Sequence, residues 1–247
     1  MRLKLTIAFD GANYAGWQVQ KVGLGVQQVI EEAIASIWQE QIRIHGSSRT
    51  DTGVHARAMI AHFDLPEERL RMKITKVPLA LNAKLPEDIR IMEAREVPET
   101  FHARFNAKGK EYRYYVYNHV AMDPLLRRTA WHAPQELDLE AIRAAAKCFP
   151  GKQDFAAFAN NRNYEMESTV RTIHHCNVKK SGPLLTFVIE GDGFLYKMCR
   201  GIAGTLIQVG MGKFEPADVR RMLAAKDRRM AGMTAPAHGL ILWKVFY

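Results

Sequence analysis

Apolar positions divide the chain into short segments with clear periods. Residues 3–9, LKLTIAF, form an apolar run that ends at Asp10-Gly11, the pattern of a buried strand closing on a turn. Val26, Ile30, Ala33, Ile34 and Ile37 then recur at helical spacing, which predicts an amphipathic helix over about 26–40. IRIHG (42–46), AMIAHFDL (58–65) and IRIMEAREV (89–97) read as strands, with a basic helical stretch over about 67–82 between the last two. KEYRYYVYN (110–118) alternates strongly and is rich in β-formers, and LDLEAIRAAAKCF (137–149) reads as a helix. Further on come a buried strand ending in Gly-Asp-Gly (184–194), a mostly apolar helix (194–210), a second helix (about 216–225) and a closing strand in HGLILWKVFY.

The order strand, Asp-Gly turn, aromatic loop, helix, strand near the N-terminus is echoed by strand, Gly-Asp-Gly turn and helix in the second half. This predicts an α+β fold made of two ferredoxin-like halves, residues 1–105 and 106–247. Joined edge to edge, their sheets would form one continuous, mostly antiparallel sheet flanked by helices, with a central positively charged cleft. The stretches near 119–136 and 150–169 are the expected insertions.

Composition narrows the class of protein. A chain of 247 residues can bury a sizeable core. The chain has no apolar run of the roughly 20 residues a membrane helix needs, and MRLKLTIAFDG lacks the features of a signal peptide, so a cytoplasmic protein is expected. Cys148, Cys176 and Cys199 are far apart and form no CxxC pair, which argues for reduced thiols. His174, His175 and Cys176 are adjacent, but strand alternation would send the two imidazoles to opposite faces, so no metal site is expected there.

The net charge of +9 favours a polyanionic partner. The cations cluster at Arg69, Arg71, Lys73 and Lys76, at Arg104, Lys108, Lys110 and Arg113, and at Lys226, Arg228 and Arg229. Any one cluster could simply be a solvated face. The middle one is interleaved with Phe101, Phe105, Tyr112, Tyr114, Tyr115 and Tyr117, a mixture in which cations hold a backbone and aromatic faces accept unstacked bases.

Residues 46–56 read GSSRTDTGVHA and have neither helical nor strand period. Gly46 and Gly53 would let the backbone turn at both ends. Asp51 could serve only as a turn residue, binding loose backbone donors. However, Arg49 lies two residues away, on the same side of an extended backbone, and His55 follows shortly. Neither an EF-hand nor a P-loop pattern is present.

RTDTGVHA (49–56) resembles the signature of the TruA-type tRNA pseudouridine synthases. FDGANYAGWQVQ (9–20), the helix start at Gln27 and Val29, FHARFNAKGKEYRYYVYN (101–118), GDGFLYKMCRGIAGTLIQVG (191–210) and APAHGLIL (235–242) resemble other landmarks of that family, in order. Ser48, Thr52, Gly193 and Cys199 depart from its usual residues without removing a needed chemical group.

The resemblance implies an enzyme that breaks the bond between ribose and uracil N1, turns the base and rejoins it through C5. Its target would be uridines 38, 39 and 40 in the anticodon arm of tRNA. No atom is gained or lost, so the stoichiometry calls for neither cofactor nor metal. The resemblance makes Asp51 the catalytic carboxylate, by attack on the sugar, attack on the base or removal of a sugar proton. Arg200 would be its paired cation, Tyr112 the stacking partner of the flipped base, and Arg49 the group that fills the gap in the RNA or holds a phosphate. It also implies a homodimer cradling one tRNA. A non-catalytic RNA-binding module, a related synthase with another RNA target and an aspartate-dependent hydrolase are the competing readings. The first of these would have no need of Asp51.

Overall fold

A computed structural model describes residues 1–160 and 168–247. Residues 161–167, within the expected 150–169 insertion, lie outside the described residues. The chain divides into two compact units, Met1–Lys108 with Ile241–Tyr247, and Gly109–Leu240. Both are mixed α+β, with a mostly antiparallel sheet and helices packed on it.

In the first unit the N-terminal strand β1 (Arg2–Phe9) alternates between half-exposed and buried positions, sending Leu3, Leu5 and Ile7 into the core. The helix α1 (Val26–Trp38) buries Ile30, Ile34 and Trp38, and the Trp38 ring lies 6.0 Å from that of Phe63. The short strand β2 (His45–Gly46) follows, then β3 (His55–Asp64), the short helix α2 (Val77–Asn82) and β4 (Ile89–Val97). β1 is antiparallel to both β3 and β4, and the closing strand of the chain (Leu240–Phe246) lies parallel to β3, pairing Ile241 with His55. β1 therefore ends where β3 begins. The segment after Phe9 and the loop before His55 are brought together at one end of the sheet.

The second unit begins with β5 (Gly109–Tyr117) and the two-residue β6 (Trp131–His132), which are parallel. Then come the helix α3 (Leu139–Ala146) and the strands β7 (Gly151–Asp154), β8 (Val170–Ser181) and β9 (Leu184–Gly191), in the order β5-β9-β8-β7. The helices α4 (Met198–Gly210) and α5 (Asp218–Ala225) follow, and α3 packs on α4. Tyr114, Phe149, Phe155, Phe158 and Phe187 supply the largest fully buried side chains of this unit.

Three segments differ from the periodicity. The strand expected over 42–46 shrinks to His45–Gly46 because α1 takes its backbone groups: Ile44 N donates to Glu31 Oε1 (3.0 Å) and Gln27 Nε2 donates to Ile44 O (3.2 Å). The basic stretch 67–82 is helical only over Val77–Asn82 and in two single turns, with Lys73 extended between them and Pro78 in the first turn of α2. The apolar helix starts at Met198 rather than 194 because Lys197 sits at φ 60°, a left-handed residue that ends the preceding turn.

Candidate active site

The loop carrying Arg49 and Asp51 runs from β2 into β3. Burial varies along it: Arg49 is exposed, Thr50 buried, Asp51 half-buried and Thr52 exposed. Thr50 thus anchors the loop from within, between an exposed Arg49 and a partly covered Asp51. The Thr50 carbonyl accepts from Trp17 N (3.2 Å), Gly53 N donates to Tyr14 O (3.3 Å), and Val54 N closes a turn on the Asp51 carbonyl (3.1 Å). The turn expected at Gly46 is absent, because Gly46 is extended in β2; Gly53 does take a positive φ of 76°.

The segment 10–18 is the brace for this loop. A side chain at Gly11 would place its Cβ 2.0 Å from the Val54 carbonyl oxygen, so only glycine allows the two backbones to come this close. Nδ1 of the buried His55 lies 3.0 Å from Gly11 N and 3.0 Å from Asp10 Oδ1. Without a proton that nitrogen accepts from Gly11; with one it donates to Asp10. The Tyr14 hydroxyl donates to Asp88 Oδ1 (2.6 Å), and burial together with the Asp88 charge pushes its pKa far up, so it stays a donor. Ser48 Oγ and Thr50 Oγ1 are buried with no hydrogen-bond partner among the described residues.

In the second unit Tyr112 and Tyr114 share the buried face of β5. Tyr112 meets Phe194 edge-on at 5.1 Å. Tyr114 is fully buried, donates its hydroxyl to Pro236 O (2.8 Å) and has a pKa driven far up by burial. Arg200 leaves the first turn of α4, and its Nε donates to Ala235 O (2.8 Å) while Ala235 N donates to Arg200 O (3.0 Å). A Cβ at Gly204 would stand 1.9 Å from Met233 O, so the 233–235 segment can lie against α4 only because that position is bare. Arg200 is half-buried, and the Ala235 carbonyl takes one of its guanidinium donors.

Asp51 and Arg49 therefore lie in the first unit, and Tyr112 and Arg200 in the second. The braces around them were not foreseen: Tyr14 with Asp88 and His55 with the 10–12 turn in one unit, and the 233–235 strap in the other. The family landmarks at 9–20 and 235–242 marked two of these segments but not the contacts they make.

The basic clusters differ in what their charges do. Arg69, Arg71, Lys73 and Lys76 are all exposed, as are Arg104 and Lys108. Lys226 pairs with Asp154 (3.1 Å), Arg229 with Asp227 (2.7 Å), and Arg228 donates to Gly232 O and Thr234 Oγ1 (2.8 and 2.9 Å), so the third cluster is taken up by local structure. On β8 an irregularity between Ile173 and His175 breaks the alternation, and His174 and His175 are both exposed while burial pushes the Cys176 thiol up to about 12.

Comparison with known proteins adds to this geometry. A family model described as tRNA pseudouridine synthase matches residues 5–106 and 145–247. A protein named tRNA pseudouridine synthase A from Bacillus licheniformis is 45% identical over 249 residues, covering 100% of this chain and 99% of its own. Proteins of the same name from Exiguobacterium sp. and Pelobacter propionicus are 45% and 44% identical, covering 100% and 99% of this chain and 98% and 99% of their own.

Proposed function

The chain belongs to the tRNA pseudouridine synthase family, an enzyme family that converts uridine in tRNA to pseudouridine, and from that premise we propose that it acts on the anticodon stem-loop, at uridines 38, 39 and 40, with Asp51 as its essential carboxylate. The observation that supports the residue assignment is the loop itself: Thr50 is buried, the 10–18 segment clamps the backbone, and Arg49 and Asp51 flank the anchor, exposed and half-buried.

The reaction breaks C1′–N1 and forms C1′–C5. The hydrogen at C5 leaves to water as a proton, and N1 gains a proton. Asp51 attacks the sugar, attacks the base or removes a sugar proton. Arg200 is the cation that pairs with the carboxylate and aims it. Tyr112 stacks on the flipped uracil, returning about 1–3 kcal/mol against the cost of unstacking. Arg49 holds the flipped nucleotide's phosphate or fills the gap it leaves. The exposed cations at 69–76 and at Arg104 and Lys108 support a tRNA backbone contact. The working form is a cytoplasmic homodimer that cradles one tRNA.

The test uses tRNA transcribed with tritium at C5 of uridine. The parent chain should release tritium to water, from the anticodon arm alone. Asp51→Asn should release it at least ~10³-fold more slowly. Equal release by both forms would remove Asp51 from the chemistry. Release from positions outside the anticodon arm would correct the target while leaving the enzyme class intact.

A further inference from the structure

The mixed basic and aromatic stretch 101–117 does not present its rings uniformly. Tyr112 and Tyr114 are buried, and Phe101, Tyr115 and Tyr117 are partly covered. Phe105 alone among these six stands clear, 75% exposed, with Arg104 and Lys108 exposed beside it in sequence. An exposed phenyl ring needs no explanation when it is mobile and isolated. This one is neither.

The turn that carries it is pinned on several sides. His102 Nδ1 accepts from Arg104 N (3.1 Å) and from Phe105 N (3.3 Å), and Asn106 N donates back to His102 O (3.0 Å). Ala103, at the base of the turn, donates its N–H to Nδ1 of the buried His62 (3.2 Å) and accepts at its carbonyl from the Tyr247 hydroxyl (2.7 Å). The Phe105 ring lies on His102, centroids 4.2 Å apart and planes 33° from parallel; His102 meets His62 at 4.8 Å, and His62 stacks on His45 at 5.1 Å. The buried His62, the partly covered His102 and the exposed His45 thus form a ring cluster from which Phe105 stands out at the surface. The Arg104 guanidinium is held 5.6 Å from the same ring.

We propose that Phe105 is a preformed stacking platform for an unpaired base of the RNA substrate, with Arg104 contacting the adjacent phosphate. The platform is separate from the uracil-flipping role assigned to Tyr112, and it rests on the reading of this chain as a tRNA-binding enzyme. The chemistry favours RNA over a protein partner. A guanidinium stands over the ring, Lys108 is exposed three residues further on, and the whole chain carries +9. A base needs one flat face and a nearby positive charge, which is what the turn offers. Because hydrogen bonds and ring packing already fix the turn, little conformational entropy is lost when a base docks.

The experiment measures the affinity of an unmodified tRNA transcript by fluorescence anisotropy across a salt series. Phe105→Leu keeps an apolar side chain of similar bulk but has no aromatic face. It should weaken binding roughly 5- to 150-fold, while Phe105→Tyr and Phe105→Trp stay within about threefold of the parent. Arg104→Gln should lower the slope of log affinity against log salt by about 0.7 to 0.9, the release from one phosphate. The urea midpoint of Phe105→Leu should match the parent, since the ring is mostly in water. Unchanged affinity in Phe105→Leu overturns the platform. A change in its oligomeric state at unchanged RNA affinity also overturns it and reassigns the ring to contact between copies. A parent chain that neither binds tRNA nor releases tritium would instead sink the enzyme reading beneath it, so the two failures are distinct.

Discussion

The two units solve the same problem with different elements. In the first, Asp51 sits on an irregular loop that has no hydrogen-bond ladder of its own, so a second irregular segment, residues 10–18, supplies the partners. In the second, Arg200 sits in the first turn of a helix, and its guanidinium and the 233–235 strap are tied to each other through Ala235. Both depend on a glycine at the point of closest approach, Gly11 in the brace and Gly204 in the helix. The difference shows where each unit is vulnerable. The loop depends on backbone hydrogen bonds between two loops, and the helix on the packing of one strap.

Glycine substitutions test this contrast most severely. In a helix interior Gly→Ala ordinarily stabilises by about 0.5–1 kcal/mol. Gly204→Ala should reverse that sign and destabilise by about 1–3 kcal/mol in urea unfolding, because the new methyl meets a backbone carbonyl. Gly11→Ala should cost a similar amount and, in addition, displace the Asp51 loop. Its tritium release should therefore fall by more than the fraction of unfolded chain explains. If Gly204→Ala stabilises the protein, the strap is not held as described.

Acid should weaken the first unit through a group the second lacks. Burial first, then the positive charge of Arg2 and the neighbouring His102 and His45, hold the pKa of His62 down to about 4, with Asp64 opposing. Burial lowers His102 as well. The unfolded chain takes up these protons near pH 6.5, so the stability from keeping His62 neutral is complete above that pH and is lost as pH falls toward 4. By pH 4.5 the loss from His62 should be roughly 2 kcal/mol. Because carboxylates also titrate there, the measurement is the pH-dependent loss in the parent minus that in His62→Gln. An equal loss in both would remove His62 as the cause.

The smallest contrast compares two tyrosine hydroxyls. Tyr14 donates to the Asp88 carboxylate and Tyr114 to the neutral Pro236 carbonyl. Tyr14→Phe should cost about 1.5–3 kcal/mol and Tyr114→Phe about 0.5–1.5 kcal/mol by urea unfolding. The reverse order would mean that the brace on the Asp51 loop is held by something other than this bond.

Much of this was legible along the chain, because local periodicity reports which side of an element meets the core. Leu3, Leu5 and Ile7 revealed β1 in this way, and 89–97 emerged with the boundaries expected of it. The 67–82 stretch misled because basic residues have good helix propensity, while Pro78 and the extended Lys73 interrupt the run. β8 went unread as a strand element beyond its HHC triplet, since its bulge spoils the alternation that periodicity depends on. Composition alone does not separate Phe105 from the other aromatics of 101–117, although it stands in water and Tyr112 in the core.

The sequence by itself determined the α+β class, most of the elements and the family. These follow from side-chain period and from residues adjacent in the chain. Only the tertiary structure decided which distant segments touch: the 10–18 segment on the Asp51 loop, the 233–235 strap on α4, the closing strand beside β3, and the cluster of His45, His62 and His102 beside Phe105. Such contacts join positions far apart in sequence, and their energy comes from close approach and shared hydrogen bonds. A pattern of polar and apolar letters does not encode those distances.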